Sequence, residues 1–228
     1  MSSDKKENST GDYEEIAEFE NEVKCVLKYK NNIRVEEIWF KNGLKHRDGN
    51  YPAYIAYHKS GNKEREEYFV NGLLHRTADM PAVVSYDEDC NTEEEEWWVN
   101  GKRHRENDKP ASVEYYRSGR CRCEIWFNND QKHRENDKPA WIGFYVNGNV
   151  SSAAWYINGK CHRDNLPAVI EFGKNGFRRS EEYYIDGVHR STTILDTRPN
   201  DGVIYLDDSW VKVLSNLYLC KLIHAPLD

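Results

Sequence analysis

The chain has 228 residues and a formal net charge of −7, with 31% charged and 13% aromatic residues. A mean hydropathy of −0.92 excludes a thick globular core, and 7 Trp with 15 Tyr exclude a disordered chain. A sheet whose core is one side chain deep satisfies both limits. The acidic balance disfavours nucleic acid as a partner and also disfavours a membrane surface. No apolar run approaches the ~18 residues of a membrane span, and the polar start Met1-Ser2-Ser3-Asp4 is not a secretory signal. The expectation is an intracellular, non-secreted protein whose six cysteines, which follow no CxxC pattern, are reduced.

In chain order, residues 1–14 form a polar leader expected to be disordered. Residues 15–35 alternate, with Val23, Cys25, Leu27 and Tyr29 on one side, and predict an N-terminal capping strand. From residue 36 to 193 the sequence repeats. A His-Arg pair occurs at His46, His75, His104, His133, His162 and His189, in steps of 29, 29, 29, 29 and 27 residues. A fixed period in this range is the signature of stacked repeats. Residues 194–228 break the pattern; Trp210, Leu214, Leu217, Tyr218 and Leu222 fall at helical spacing behind an Asp/Ser cap, which predicts a C-terminal helical cap.

Turn chemistry sets the register inside each repeat. Asn42-Gly43, Asn71-Gly72, Asn100-Gly101 and Asn158-Gly159 are type I′ hairpin signals, with Asn129-Asp130 and Asp186-Gly187 as weaker versions. Two-residue loops there place Trp97 opposite His104, Glu96 opposite Arg105, Tyr68 opposite His75 and Glu67 opposite Arg76. A second set of turns, including Ser60-Gly61, Ser118-Gly119, Asn147-Gly148 and Asn175-Gly176, places Ala53 opposite Tyr68, Ala111 opposite Trp126, Ala140 opposite Trp155 and Ala168 opposite Tyr183. The aromatics Trp39, Tyr68, Trp97, Trp126, Trp155 and Tyr183 then form a structural ladder with the six histidines. The next residues, Phe40, Phe69, Trp98, Phe127, Tyr156 and Tyr184, must point to the opposite face of a straight strand. They are the candidate partner-facing stripe. The prolines before the alanines require a corner in each repeat. The predicted fold is all-β: an elongated, solenoid-like stack of antiparallel hairpins, about 29 residues per repeat.

The motif Trp-x-x-Asn-Gly-x-x-His, carried by Trp97-Trp98-Val99-Asn100-Gly101-Lys102-Arg103-His104, resembles that of MORN (membrane occupation and recognition nexus) repeats. The His-Arg-x-x-x-x-Pro-Ala continuation looks closest to the long variant found in proteins of giant DNA viruses such as marseilleviruses and mimiviruses. Here the repeat has His-Arg and a period of 29, where the short form has His-Gly and about two dozen residues. The resemblance implies a scaffold without catalytic activity, placed in a virion or a virus factory of the host cytoplasm, that holds partners, dimerises or sits near membranes.

The residues themselves give no catalytic site, cofactor or metal site. Two strands per repeat at ~4.8 Å each set successive histidines ~10 Å apart, too far to share an ion with ligands ~2 Å away. The arginines beside them read as paired rather than as a phosphate stripe, and Glu93 to Glu96 as a solvated strand edge. A non-enzymatic scaffold for protein–protein interaction is the leading expectation; a lipid-surface module and a regulatory subunit of an enzyme on another chain are the alternatives. Trp210, Val211, Leu214, Leu217, Tyr218 and Leu222 carry more apolar surface than one cap needs, which predicts a two-fold homodimer through this end.

Overall fold

In the computed structural model, residues 2–7 and 12–195 are described, and they fall in one unit. The expected C-terminal helix and dimer contact, including Trp210, Val211, Leu214, Leu217, Tyr218 and Leu222, lie outside the described residues. The described chain is all-β, built of antiparallel hairpins in one long sheet. Its first strands are β1 (Ser2–Glu7), β2 (Tyr13–Glu18), β3 (Val23–Lys30), β4 (Ile33–Lys41) and β5 (Leu44–Lys45). Each following repeat adds two sheet strands and a short two-stranded ribbon. These are β6 (Tyr54–Tyr57), β7 (Lys63–Glu67) and the ribbon β8 (Phe69–Val70) with β9 (Leu73–Leu74). Next come β10 (Val83–Tyr86), β11 (Thr92–Glu96) and the ribbon β12 (Trp98–Val99) with β13 (Lys102–Arg103). The third set is β14 (Ser112–Tyr115), β15 (Cys121–Ile125), β16 (Phe127–Asn128) and β17 (Gln131–Lys132). The fourth is β18 (Trp141–Phe144), β19 (Val150–Ala154), β20 (Tyr156–Ile157) and β21 (Lys160–Cys161). The described residues end with β22 (Val169–Phe172), β23 (Arg178–Ile185) and β24 (Val188–Ile194).

The expected register holds in the strand bodies. Val83 pairs with Glu96, Ser112 with Ile125, Trp141 with Ala154 and Val169 with Glu182. The turns that set it are longer than expected. His58 N–H donates to Asn62 O and Gly61 N–H to His58 O, which makes a three-residue loop, and a bulge between Ala56 and Tyr57 restores the register. Gly61 stands at φ 90°, and Gly119, Gly148 and Gly176 take the same role. In the equivalent loop Cys90 must adopt φ 66°.

The large departure is at the aromatic residues. A straight hairpin would put Glu67 opposite Arg76 and Glu96 opposite Arg105, and neither pair forms. The chain leaves the sheet at Tyr68 and Trp97. Trp97 N–H still bonds in the sheet, to Ala111 O at 2.8 Å, while its carbonyl accepts His104 N–H at 3.1 Å inside the ribbon. Trp39, Tyr68, Trp126 and Trp155 divide their backbone groups in the same way. The following strand competes for the same sheet edge, so the hairpin must peel away. Where no Pro-Ala strand follows, it does not: β24 pairs with β23 along its length and occupies the sheet position itself.

Ala53, Ala82, Ala111, Ala140 and Ala168 are fully buried beside these junctions, and Tyr68, Trp97, Trp126 and Trp155 are buried with them. At the N-terminal end, the range 15–35 expected as one capping strand is divided between β2, β3 and the start of β4, and β3 spans both the sheet and the first ribbon. Ser2–Glu7 pairs with β2 as β1, although its composition predicts disorder; a polar segment can add to an open edge through backbone bonds alone.

Three residues hold positive φ without a side chain suited to it: Glu22 (φ 56°), Ala78 (φ 61°) and Cys90. Asn107 and Asn136 occupy the position of Ala78 in later repeats, and Gly that of Cys90. Ala78→Asn and Cys90→Gly should each stabilise the protein by about 0.5–1 kcal/mol in thermal or urea unfolding, because they remove left-handed strain. A loss of stability in either would show that the strain is not there.

Candidate interaction surface

The His-Arg-x-x-x-x-Pro-Ala loops weld each repeat to the one before it. Arg105 lies over the ring of Trp97, 3.7 Å from its centroid, and donates to Pro110 O at 3.2 Å. Its Nε and Nη2 reach back to both carboxylate oxygens of Asp79 at 2.7 and 3.2 Å. Lys109 meets the same carboxylate at 2.6 Å, and Trp97 Nε1–H donates to the Asp79 carbonyl at 3.0 Å. Arg134, Lys138 and Trp126 converge on Asp108 in the same way, and Arg163 with Trp155 on Asp137. Asn50 takes the place of the acid for Arg76.

The cation and its two acceptors are thus fixed by backbone geometry. Asp79, Asp108 and Asp137 sit at φ 55°, 55° and 51°, each after another left-handed residue, which turns the carbonyl and the carboxylate toward the next repeat. Asn50, Asp79, Asp108 and Asp137 recur every 29 residues, so the signal was present in the sequence. A rule for pairing across one hairpin does not use it, because the acid lies in the loop between Arg and Pro and meets the arginine of the next repeat.

The histidines form the second ladder. Asn71 N–H donates to His46 Nδ1 at 3.1 Å, Asn100 N–H to His75 at 3.2 Å, Asn158 N–H to His133 at 3.2 Å and Asp186 N–H to His162 at 3.0 Å. On the other side of the ring, His46 Nε2 meets Asp48 at 2.9 Å, His104 meets Glu106 at 3.0 Å, His133 meets Glu135 at 2.8 Å and His162 meets Asp164 at 3.2 Å. Nδ1 as acceptor and Nε2–H as donor define one neutral tautomer. His189 Nε2 meets Thr192 Oγ1 at 2.8 Å instead. His104 Nδ1 is buried without a partner where the turn reads Asn129-Asp130 instead of Asn-Gly. There the Asp130 carboxylate takes Arg103 N–H at 2.8 Å. Among the described residues no group of three or more His, Cys, Asp or Glu could hold a metal ion.

The ribbons have two faces, and the candidate stripe lies on the inner one. Phe69 pairs with Leu74, Trp98 with Arg103, Phe127 with Lys132 and Tyr156 with Cys161. Phe127 is buried; Phe40, Phe69, Trp98, Tyr156 and Tyr184 are half-buried. The preceding ribbon covers three of them: Lys45 lies 4.8 Å from the Phe69 centroid, Arg103 4.3 Å from that of Phe127 and Lys132 5.2 Å from that of Tyr156. The kink at each junction aromatic rotates the ribbon, so the opposite-face rule for a straight strand does not carry across it.

The outer face carries the other cross-strand pairs: Lys41 with Leu44, Val70 with Leu73, Val99 with Lys102, Asn128 with Gln131 and Ile157 with Lys160. Leu44 and Leu73 are each 50% exposed, and Val70 and Val99 are exposed beside them. Consecutive turns touch along this row: a Cβ on Gly72 would lie 3.5 Å from Leu44 Cδ2, and one on Gly101 3.2 Å from Leu73 Cδ2. The first three ribbons therefore present an apolar row of Leu44, Val70, Leu73 and Val99 flanked by Lys41 and Lys102, and the later ones a more polar row containing Asn128, Gln131 and Lys160.

Glu93 to Glu96 do not form a solvated edge, since β11 is paired on both sides. Glu96 is buried, with Trp98 Nε1–H at 3.1 Å and Arg103 at 3.5 Å, and Glu95 accepts the Tyr115 hydroxyl at 2.6 Å. Glu94 stands directly across from Glu114 in a cleft of about 400 Å³; burial, then Glu96 and Glu114, raise its carboxyl above the usual range. Burial likewise pushes the thiols up, Cys25 and Cys161 to about 11 and Cys123 to about 12, which leaves them protonated and unreactive.

No family model matches the chain, and no curated protein matches it.

The loop acids give two tests. Arg163 is 7% exposed and bidentate on Asp137, so Asp137→Ala leaves a buried cation unpaired. Urea unfolding should show a loss of about 2 kcal/mol, and Asp137→Ala with Arg163→Met should recover most of it. A single variant as stable as the parent would remove the weld from this junction. The second test is a pH series. The Arg105 hydrogen bond, helped by Lys109 and opposed by burial, lowers the Asp79 carboxyl from 3.8 to about 2. A depressed folded-state pKa gives stability that is complete above the ordinary carboxylate value and disappears as pH falls through about 2. The melting-temperature gap between the parent and Asp79→Asn should therefore close across that window. A gap that stays constant would mean the carboxylate charge is irrelevant.

Proposed function

We propose that the protein is a non-enzymatic, MORN-like repeat scaffold that binds a protein partner across the outer row of its ribbons. The observation that carries this reading is the apolar row formed by Leu44, Val70, Leu73 and Val99. These side chains are exposed on turns that hydrogen bonds from neighbouring repeats hold in a fixed order. Contiguous exposed apolar surface on a rigid frame marks an interaction site more often than a catalytic one. The recurring aromatic, His and Arg positions support the same reading, because most of them are engaged in joining repeats. The partner is a polypeptide with an apolar face, laid along the stack so that it meets equivalent positions of successive ribbons.

A giant-virus setting and a homodimer through residues 205–228 belong to the same proposal and rest on the sequence resemblance and the terminal apolar pattern. The test is affinity capture of the tagged full chain from its source, beside a Val70→Glu, Leu73→Glu, Val99→Glu variant. The parent should retain a saturable partner that the variant loses by at least tenfold, about 1.4 kcal/mol. Unfolding should show only a modest loss from the opposed acids at positions 70 and 73, since all three side chains are exposed. Equal retention by both proteins would remove the ribbon row as the binding surface.

A further inference from the structure

The chain contains six Asn-Gly pairs, at Asn42, Asn71, Asn100, Asn147, Asn158 and Asn175. This dipeptide is chemically self-reactive. The backbone nitrogen of the glycine attacks the asparagine side-chain carbonyl, forming an N–Cγ bond and a five-membered succinimide. The side-chain nitrogen leaves as ammonia with the proton released by the glycine amide. Water then opens either carbonyl of the ring to give aspartate or isoaspartate. Atoms balance with water as the only co-reactant. Whether a given pair reacts depends on the glycine nitrogen being free and on the turn being able to open.

In five of the six pairs the glycine N–H is bonded. Gly72 donates to Lys45 O, Gly101 to Leu74 O and Gly159 to Lys132 O, each at 2.9 Å. Gly148 donates to Tyr145 O at 2.7 Å and Gly176 to Gly173 O at 2.9 Å. In the first three of these pairs the asparagine N–H is bonded as well, to His46, His75 or His133 of the preceding repeat. In the last two, the asparagine Oδ1 is occupied by Asn149 N–H or Phe177 N–H. Opening any of these turns breaks at least two hydrogen bonds.

Asn42-Gly43 differs because no ribbon precedes it. Among the described residues Gly43 N–H has no acceptor, and a Cβ placed on Gly43 would meet nothing within 4 Å. Gly72 and Gly101, by contrast, lie under Leu44 and Leu73. Asn42 keeps one bond, from its N–H to Glu22 O at 3.1 Å. We infer that Asn42 is a site of spontaneous deamidation, that the same stacking which joins the repeats protects Asn71, Asn100 and Asn158, and that bonds within their own loops protect Asn147 and Asn175. The product would add a carboxylate beside a shallow apolar recess lined by Phe19, Val23 and Phe40, with Glu18 and Glu22 at its rim. The isoaspartate form would also lengthen the tip backbone by one methylene.

The test is peptide mapping by mass spectrometry of the full chain, held folded at mildly alkaline pH and sampled over time. Asn42 should convert several-fold faster than any of the other five, as the loss of one or two hydrogen bonds from the protected state implies. In denaturant the six rates should converge, which separates folding from local sequence. A His75→Ala variant removes the acceptor of Asn100 N–H, and Asn100 should then react faster while Asn42 is unchanged. Equal rates at all six sites in the folded chain, or a faster reaction at another pair, would overturn the inference. If His75→Ala leaves Asn100 as slow as before, stacking is not what protects it.

Discussion

The structure depends on one residue per repeat belonging to two hydrogen-bond systems at once. The junction aromatic donates its N–H to a sheet strand and gives its C=O to a ribbon. A backbone divided in this way must turn sharply, and the turn is held from both sides of the ring. Buried alanine leaves room for the ring to lie flat, and a guanidinium covers its other face at 3.5–4.0 Å. Neither a larger residue in place of alanine nor a flexible ammonium in place of arginine would serve both geometries.

From that junction the stacking follows. The arginine that covers its own aromatic also reaches the loop acid of the preceding repeat, and the indole N–H reaches the carbonyl of the same acid. Each aspartate therefore receives up to four bonds from the next repeat, so a repeat is completed only by its neighbour. This is the nearest-neighbour logic of a solenoid. It explains how a chain this polar can hold a sheet of 16 strands with one thin apolar layer. Burial of rings and alanines supplies part of the stability, and charge-assisted bonds on partly buried groups supply cohesion along the stack.

The ends show what happens when a neighbour is missing. At the N-terminal end β3 supplies pairing for both the sheet and the first ribbon, yet it offers Gly43 no carbonyl. At the C-terminal end no Pro-Ala strand follows β23, and the hairpin settles into the sheet. The ribbon is therefore not an intrinsic property of the Asn-Gly hairpin. It arises from competition between two strands for one edge.

The sequence by itself determined the period, the positions of the turns and the pairing within strands. These rest on local chemistry: asparagine and glycine adopt left-handed backbone, alternation fixes a face, and a constant residue sum fixes register. The all-β class and the register that sets Ala111 against Trp126 were legible for that reason. The tertiary structure decided where the chain leaves the sheet, and with it which side Phe69 and Trp98 face and which acid Arg105 meets. No rule about a single hairpin contains that information. Glu96 was the nearest carboxylate to Arg105 along one hairpin, but the carboxylate actually used, Asp79, belongs to the preceding repeat. It becomes adjacent only when the following strand takes the sheet edge and forces the ribbon, with its histidine and arginine, onto the loop of the repeat before.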